Sequence, residues 1–441
     1  MICGGGVAAV EAVLALRARF AVGMEVHLVA PNRQFVYQPL AVAAPFGLAE
    51  TRLFELAELA GEQSIELHVD SLESVDGDEK RIRLVSGAVL SYDSLIVAVG
   101  ARRKEWLQGA LHFGGEADVA AFRTLLERFE SIAADRLCFV TPPGMSWTLP
   151  AFELALLTAS YLADRGIIGV ELTVATPEAD PLSVFGPTAS RILRNLLSDR
   201  GIALKAGAYA DKIESGKLRF HPFGRLEVDH IVALAQLEGP ALPGLPCDAS
   251  GFIAVDEHSR VANLKDVYAA GDGTTFPIKQ GGLATQQADA AAEAIAAQMS
   301  DDITPAPLRP TLRGMLLTGI APIYLRAEIA GTGDSFSTSA DPLWWPPGKI
   351  AGRYLGPYLA DRSALARGTI LRDRSPSPRD PASIQESHEE AQELALTFAE
   401  RDADDGHFKS ALEWLEVLEQ IDAVLPPGYV EKRADWHARA Q

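Results

Sequence analysis

The stretch ICGGGVAAVEAVLAL, residues 2–16, decides the fold of this chain. A short apolar strand leads into a glycine turn, and the turn leads into an apolar helix. Gly4, Gly6 and Ala9 fit the spacing G-x-G-x-x-A, in which the glycines let the backbone turn tightly and approach a pyrophosphate at the positive end of the helix. A second apolar strand at residues 25–30 completes a βαβ unit. Only three residues precede the glycines where about five are usual, which suggests a start upstream of Met1.

A second signature is VYAAGD, residues 267–272, an apolar strand that ends in Gly271 and Asp272 just before a long alanine-rich helix. This arrangement places a carboxylate where a ribityl hydroxyl could bond to it. Glycine turns are common, so neither motif is specific alone. Together the two signatures predict a site for FAD.

Composition narrows the class of protein. A chain of 441 residues with 48% hydrophobic residues can bury several cores, so we expect several domains. The net charge of −19 repels phosphate backbones, which argues against a nucleic acid partner. No apolar run reaches the roughly 18 residues of a spanning helix, and the first residues lack the features of a signal peptide. The composition therefore predicts a cytoplasmic protein.

The order of apolar segments predicts how the chain is divided. Residues 64–91 alternate in the manner of antiparallel strands, and residues 92–101 form an apolar strand that ends at Gly100. A second βαβ unit covers residues 137–175. We predict an α/β fold with two Rossmann-like dinucleotide-binding domains, the second inserted in the first, followed by a C-terminal interface segment and a helical tail. The predicted bounds are 1–106 and 247–317 for the FAD domain, 107–246 for the second domain, 318–374 for the interface segment, and 375–441 for the linker and acidic tail.

The C-terminal tail follows a proline-rich linker at residues 375–381. Its apolar residues fall on one face of a helix, with acidic residues on the other. These residues are Phe408, Ala411, Leu412, Leu415 and Leu418. We expect the tail to act in packing or oligomerisation, with a homodimer as one outcome.

Residues 1–330 resemble the two-dinucleotide-domain flavoproteins, which include the pyridine nucleotide-disulfide oxidoreductases, the type II NADH dehydrogenases and the sulfide:quinone oxidoreductases. The segments PIKQGG, residues 277–282, and PLSVFG, residues 181–186, are most similar to the sulfide:quinone branch. The resemblance implies noncovalent FAD, with the flavin ring between the domains and the C-terminal segment near the electron acceptor.

The resemblance also implies positions for the cofactor. It places one turn at the FAD pyrophosphate, one loop near the flavin ring, one strand end beside the flavin and one carboxylate on the ribityl chain. The implied cofactor-binding residues are Gly4, Gly5, Gly6, Val7, Ala8, Arg33, Gln38, Pro39, Leu40, Gly100, Ala101, Gly271, Asp272, Lys279 and Gln280. Lys279 is also the one catalytic candidate, because it would add positive charge where negative charge develops on reduction. The alternative for Lys279 is a solvated loop lysine.

Two departures from the family pattern concern nucleotide binding. The second strand ends in Ala30, Pro31 and Asn32, so no acid stands where one usually holds the adenosine ribose, and that contact is either lost or transferred to Asn32 or Arg33. The second glycine turn is replaced by TPPGMSWTLP, residues 141–150. Its prolines remove amide donors, and Trp147 would occupy the space of a pyrophosphate. We therefore expect poor oxidation of NADH.

A third departure concerns sulfur chemistry. The sulfide:quinone branch uses paired cysteines that flank the flavin, whereas Cys3, Cys138 and Cys247 are widely spaced here and none matches those positions. Cys3 and Cys138 fall inside apolar strands, which leaves Cys247 as the remaining alternative. His27, His221 and His230 are typical of structural histidines, and no metal site is predicted.

The stretch PLWWPPGKIAGRYL, residues 342–355, contains adjacent tryptophans between prolines. A rigid aromatic surface of this kind suits a quinone or peripheral contact with a membrane. The alternative is a packing plug between domains or a dimer contact. Lys349 and Arg353 lie four residues apart and could face an anion or a partner.

These features predict an FAD-dependent oxidoreductase that passes electrons from a small-molecule donor through the flavin to a quinone or another carrier. A first alternative is a dehydrogenase like the type II NADH:quinone enzymes. A second is a non-catalytic flavin protein for interaction or redox sensing.

Overall fold

The computed structural model describes residues 1–20, 23–131, 134–222, 224–300, 303–329 and 336–362, a few positions between 396 and 415, and residues 427–439. The chain forms two compact units, Met1–Leu371 and Arg372–Gln441. The predicted linker at 375–381 lies outside the described residues. No helix in the part of the chain that is described is long and apolar enough to cross a membrane.

The first sheet of the larger unit has five parallel strands in the order β20-β9-β1-β2-β5. Their bounds are Ile2–Cys3 (β1), His27–Ala30 (β2), Glu66–Val69 (β5), Leu95–Val97 (β9) and Val267–Ala269 (β20). Two alanine-rich helices, α1 (Val7–Arg19) and α6 (Gly281–Met299), pack against each other beside it. Small residues such as Ala12, Ala288 and Ala291 are fully buried and let the helices approach closely.

The second sheet also has five parallel strands, in the order β11-β18-β12-β13-β14. Their bounds are Leu111–Phe113 (β11), Asp135–Val140 (β12), Val170–Thr176 (β13), Ala203–Ala206 (β14) and His230–Leu234 (β18). The helices α3 (Val119–Arg128), α4 (Leu149–Asp164) and α5 (Gly186–Asp199) belong to this region, with Phe122, Phe139 and Phe152 fully buried in its core. Strands of the first sheet flank it in sequence, which confirms two Rossmann-like domains with the second inserted in the first.

Short antiparallel sheets complete the larger unit. They comprise Gln34–Tyr37 (β3) with Arg52–Glu55 (β4); Leu72–Asp76 (β6), Arg81–Leu84 (β7) and Val89–Ser91 (β8); Arg102–Lys104 (β10) with Gln236–Glu238 (β19); Tyr209–Glu214 (β15), Lys217–His221 (β16) and Gly224–Glu227 (β17); and Thr311–Leu316 (β21), Ile323–Glu328 (β22) and Phe336–Ser339 (β23). The remaining helices of this unit are α2 (Leu56–Glu62) and α7 (Leu355–Arg362), with 3-10 turns at Gln38–Leu40 and Ala44–Phe46 among others. The strands β10 and β19 pair where the chain leaves the first domain and returns to it.

One element differs from the sequence prediction. Residues 64–91 were expected to be antiparallel throughout, but β5 pairs in parallel with β2 as the edge strand of the first sheet. An edge strand has one partner and half-exposed faces, so its sequence alternates in the same way as an antiparallel strand.

In the smaller unit, Ala411, Leu412 and Leu415 are buried together with Trp436 from the helix Pro427–Arg439. These are residues of the apolar face predicted from the sequence, and Phe408 is partly buried beside them. Leu418 lies outside the described residues.

Candidate flavin site

The first glycine turn opens the amino end of α1 to space. Gly4 has φ +141°, and a Cβ there would lie 2.1 Å from the carbonyl oxygen of Ala98, so only glycine fits. Gly6 is the N-cap of α1, and a Cβ on it would meet no atom within 4 Å. The first turn of the helix has no acidic residue. Free amides and the helix dipole therefore face open space, as an anion such as a pyrophosphate requires.

The structure brings the two signatures of the sequence together. Gly271 has φ +87°, and a Cβ on it would lie 3.2 Å from the Cβ of Ala8 in the first turn of α1. Its amide donates to Oε1 of Gln287 at 2.8 Å. Gly273 approaches Gly100 just as closely, because a Cβ there would lie 2.8 Å from the Gly100 oxygen. The second signature thus continues the surface that begins at the glycine turn.

Beyond this contact lies a cavity of about 720 Å³ lined by residues of both Rossmann domains. Five of the predicted cofactor residues line it: Gln38, Pro39, Asp272, Lys279 and Gln280. Among the other predicted residues, all of which the structure describes, none lines this cavity. Leu40 is buried in the core behind the loop, and Arg33 is exposed on the surface. Gly4–Ala8, Gly100 and Gly271 lie at the turn contacts outside it, and Ala101 follows Gly100 in the chain.

Asp272 lines the cavity as a half-buried carboxylate. Burial raises the pKa of Asp272, and the positive charges of Lys279 and Arg103 oppose that shift. Arg103 lines the same cavity and comes from β10. Sequence reasoning missed it, because nothing in the local pattern of β10 shows that this strand runs beside the cavity.

Lys279 is held inside the cavity wall. Its Nζ lies 3.9 Å from the centre of the Phe252 ring and donates to the carbonyl oxygen of Thr274. Burial lowers the pKa of Lys279 to about 8, although Asp272 and Asp248 counteract this. These contacts differ from those of a solvated loop lysine.

The amino end of α6 also points to the cavity. Gln280 is its N-cap, with Oε1 accepting from the Leu283 amide at 2.9 Å and Nε2 donating to the Arg313 oxygen at 3.1 Å. Gln280 and Gly281 line the cavity, so the positive end of a 19-residue helix adds to the charge of Lys279.

A buried ion pair on the cavity wall was missed from the sequence. Lys349 Nζ lies 2.6 Å from both carboxylate oxygens of Glu153 in α4, and Oε1 also accepts from the Leu317 amide at 2.8 Å. The two side chains are 7% and 0% exposed. Burial raises the pKa of Glu153 and lowers the pKa of Lys349, and their mutual attraction opposes both shifts. The anion predicted to face Lys349 is thus the carboxylate of Glu153 within the same chain. The sequence signal for this buried acid is that Glu153 is a lone glutamate among the apolar residues of its helix.

The second turn, residues 141–150, forms part of the cavity wall. Pro142, Pro143 and Trp147 line the cavity, and Trp147 stacks edge-on against Phe185 with ring centres 5.9 Å apart. In a Rossmann domain, the acid after the second strand holds the adenosine ribose. Here that acid is Glu178.

Glu178 already accepts three hydrogen bonds from its own domain. Its Oε2 accepts from the hydroxyls of Thr148 at 2.7 Å and Thr176 at 3.1 Å, and its Oε1 accepts from the Leu182 amide at 3.0 Å. The second domain therefore has the carboxylate that a nucleotide needs, but its oxygens are committed to the protein.

The cysteines lie away from the cavity. Cys3 and Cys138 are buried in strands, and burial raises the pKa of each thiol to about 12. Cys247 is half-buried, and burial raises its pKa too. All three are in the described part of the chain and none lines the cavity. No thiolate is placed to attack a substrate there.

The paired tryptophans separate in the structure. Trp344 is buried, donates Nε1–H to the Gly348 oxygen at 2.9 Å and packs edge-on against Tyr324. Trp345 is 47% exposed. The hypothesis of a two-tryptophan surface is wrong for Trp344, which packs in the core because its ring and its N–H both find partners there.

The fold and the site together define a two-Rossmann-domain flavoprotein. The chain matches the pyridine nucleotide-disulphide oxidoreductase family over residues 1–137 and 151–295, and it belongs to that family. The stretch left unmatched between these ranges contains the proline-rich second turn. As a member, the chain is an FAD-dependent oxidoreductase.

Individual relatives agree with this assignment. The sulfide-quinone reductase of Aquifex aeolicus is 23% identical over 306 residues, which cover 63% of this chain and 68% of that protein. An NADH dehydrogenase-like protein of Mycobacterium tuberculosis is 26% identical over 231 residues, 49% of this chain and 57% of that protein. The solved structure of the Aquifex aeolicus sulfide:quinone oxidoreductase superposes with a TM-score of 0.71 at 20% identity, covering 77% of this chain and 86% of that one. This last likeness is one of fold.

The residues present fit FAD. The open space over Gly6 and the unobstructed amino end of α1 accept a pyrophosphate, and Asp272 supplies a carboxylate inside the adjoining cavity. One usual feature is missing at the adenosine end, where Ala30, Pro31 and Asn32 offer no acid to bind the ribose.

Proposed function

We propose that this oxidoreductase transfers two electrons between its FAD and a small acceptor of the quinone class, and that it does not take hydride from NAD(P)H through its second domain. The observation that carries the proposal is the buried Glu153–Lys349 pair, which shares one cavity with Asp272 and Lys279. When bound, FAD supplies the two-electron redox chemistry.

A quinone takes up two protons when two electrons reduce it to a quinol, so its site needs a group that holds and delivers protons. Lys349 has three N–H donors, and the two oxygens of Glu153 account for two of them. The third N–H can bond to an acceptor oxygen in the cavity. If Lys349 gives that proton up, the neutral amine stays hydrogen-bonded to Glu153, whose raised pKa suits it to take up a replacement proton.

Other positive charge along the same cavity supports this chemistry. Arg103, Lys279 and the amino end of α6 all add positive potential to the cavity. Such groups favour an anionic product over its neutral precursor, because they are fixed in place before the charge develops. Arg103, Lys279 and the end of α6 therefore stabilise the negative charge that develops on reduction, whereas Glu153 and Lys349 supply protons.

Neither of the two alternatives from the sequence is favoured by the cavity. A type II NADH:quinone-like activity needs a pyrophosphate in the second turn, where Pro142, Pro143 and Trp147 stand, and a free ribose-binding acid, whereas Glu178 is committed. A non-catalytic flavin protein has no need of a buried ion pair at its cavity. Both observations favour the quinone-class enzyme.

The test is reoxidation of pre-reduced flavin, measured by anaerobic stopped-flow absorbance with two acceptors. A soluble short-chain quinone takes protons and ferricyanide does not. We expect Glu153→Gln to slow reoxidation by the quinone about 100-fold, a typical contribution of general acid catalysis, and to leave the ferricyanide rate unchanged. Glu178→Gln is the matched control, because it removes a half-buried carboxylate of the same domain that does not line the cavity.

Wild-type protein gives a second readout should Glu153→Gln fold poorly. Reoxidation by the quinone should slow in deuterated water, whereas the ferricyanide rate should not change. A Glu153→Gln variant that reduces the quinone at the wild-type rate would contradict the proposal, as would equal rates in the two solvents.

A further inference from the structure

A cluster of histidine and glutamate side chains lies on β2 and β5, at one edge of the first sheet. In the pairing of β2 with β5, His27 stands opposite Glu66 and Val29 opposite His68. Residues two apart on a strand point to the same face, so His27, Glu66 and His68 share one face. His27 Nδ1 lies 3.0 Å from His68 Nε2, and the two oxygens of Glu66 lie 3.4 Å from one ring nitrogen each.

We propose that His27, Glu66 and His68 form a binding site for a divalent transition metal, with Zn²⁺ as the reference ion. Zinc binds histidine nitrogens at about 2.0–2.1 Å in a tetrahedron, which places neighbouring ligand atoms roughly 3.3 Å apart. The ring nitrogens of His27 and His68 lie 3.0 Å apart, and each lies 3.4 Å from a different oxygen of Glu66, so these separations are close to this spacing. Two imidazoles select zinc and its neighbours over calcium and magnesium.

A fourth residue orients one of the ligands. Glu25 Oε1 lies 3.1 Å from His27 Nε2, the ring nitrogen that faces away from His68. A carboxylate there accepts the Nε2–H and leaves the lone pair of Nδ1 directed into the cluster, as in many metal-binding histidines. Glu25 and Glu66 together offset the charge of a divalent ion.

The strands that carry the ligands are tied together at their starts. The guanidinium of Arg17 donates to the carbonyl oxygens of Met24 at 2.8 Å, Gln63 at 2.8 Å and Ser64 at 2.9 Å, directly before β2 and β5. The ligand spacing is therefore set by the backbone. The His27 and His68 side chains are 24% and 22% exposed, which leaves a path for the ion and room for water as a further ligand.

This site is separate from the flavin cavity. His27 begins β2, about 10 Å before the end of that strand at 3.3 Å per residue, and His68 lies on the edge strand β5, which β2 separates from β1 and the glycine turn. None of the three ligands lines the cavity. Metal binding is thus independent of the proposed function, and its test can fail without affecting the other.

The experiment is a calorimetric titration of the chelator-treated, flavin-loaded full chain with zinc chloride. We expect one zinc per chain, at least about 100-fold weaker binding in His68→Ala, and about 10-fold weaker binding in Glu25→Gln. His437→Ala, which removes an exposed histidine of the terminal helix, should bind as the wild type does. Zinc should also raise the melting temperature of the wild type but not of His68→Ala.

Glu66→Gln gives a second test, because the Glu66 side chain is exposed and its replacement should leave the fold intact. We expect zinc affinity to fall at least 10-fold in this variant. An absence of binding heat in the wild type, or zinc affinity in both His68→Ala and Glu66→Gln equal to that of the wild type, would overturn the proposal.

Discussion

The two Rossmann domains carry the same element order but opposite kinds of turn. In each, the central strand, β1 or β12, leads through a turn into the helix α1 or α4. The first turn, residues 4–9, is built of small residues and opens onto space. The second, residues 141–150, has two prolines, which lack amide donors, and the bulky Trp147, so we call it closed to a pyrophosphate. We therefore propose that the same scaffold serves once as the FAD site and once as a wall of the proposed redox cavity.

We infer from this difference that nucleotide binding depends on the volume and the free hydrogen-bonding groups at the turn rather than on the fold. The first domain lacks the ribose-binding acid altogether and relies on its open turn and on Asp272. The second domain has that acid, Glu178, yet uses it to hold Thr148 at the start of α4. Each domain has lost a different part of the usual site.

The largest expected effect comes from closing the open turn. Gly4→Ala should destabilise the protein by about 3 kcal/mol or more and abolish FAD binding, because the new Cβ meets the Ala98 oxygen and the backbone is in a glycine conformation. The control is Gly144→Ala in the second turn, where φ is +78° and a Cβ meets nothing within 4 Å. It should cost about 1–2 kcal/mol and leave FAD bound.

These effects are measured by chemical denaturation and by the flavin absorbance of the purified variants. Equal losses of FAD in Gly4→Ala and Gly144→Ala would remove the contrast between the turns.

The next effect concerns the carboxylate that compensates for the missing ribose-binding acid. Asp272→Ala should weaken FAD binding about 10–100-fold, the equivalent of a charge-assisted hydrogen bond of roughly 1.5–3 kcal/mol. Asp199→Ala removes an exposed acid at the end of α5 and should have no effect. Fluorescence titration of the apoprotein with FAD measures both. Unchanged affinity in Asp272→Ala would mean that the cofactor lies elsewhere.

A smaller effect concerns the charge beside that carboxylate. Lys279→Met should lower the two-electron flavin potential by roughly 20–40 mV, because a positive charge worth about 1–2 kcal/mol to the reduced form is lost. Since the pKa of Lys279 is lowered to about 8, the lysine is charged below that pH and neutral above it. The offset between variant and wild type should therefore be full at pH 6 and fade above about pH 8.

Spectroelectrochemical titrations at pH 6 and pH 10 measure this offset, with Lys104→Met, an exposed lysine paired with Glu238, as the control. An offset that is the same at both pH values would show that Lys279 does not act through its charge.

The sequence predicted the parts that depend on local pattern. The glycine turn, the apolar parallel strands and the inserted second domain follow from spacing and hydrophobicity, and the closed second turn follows from Pro142, Pro143 and Trp147. Each of these is a statement about neighbours along the chain, and local sterics largely decide it.

What the sequence did not predict depends on contacts between distant segments. Glu153 and Lys349 lie 196 residues apart, and nothing in either segment identifies the other as its partner. The same holds for His27 and His68, which the pairing of β2 with β5 brings together. Arg103 was overlooked and Trp344 was predicted on a surface for a related reason. Only packing decides whether a side chain faces a cavity or a core.

The most direct test of the contrast between the two turns is anaerobic stopped-flow mixing of the FAD-loaded protein with increasing NADH or NADPH, followed by flavin absorbance. An open first turn and a closed second turn predict slow bleaching, or none, with no saturation as the nucleotide concentration rises. Fast bleaching that saturates with NADH or NADPH would show that the second domain binds a nucleotide despite Pro142, Pro143 and Trp147, and would contradict the account.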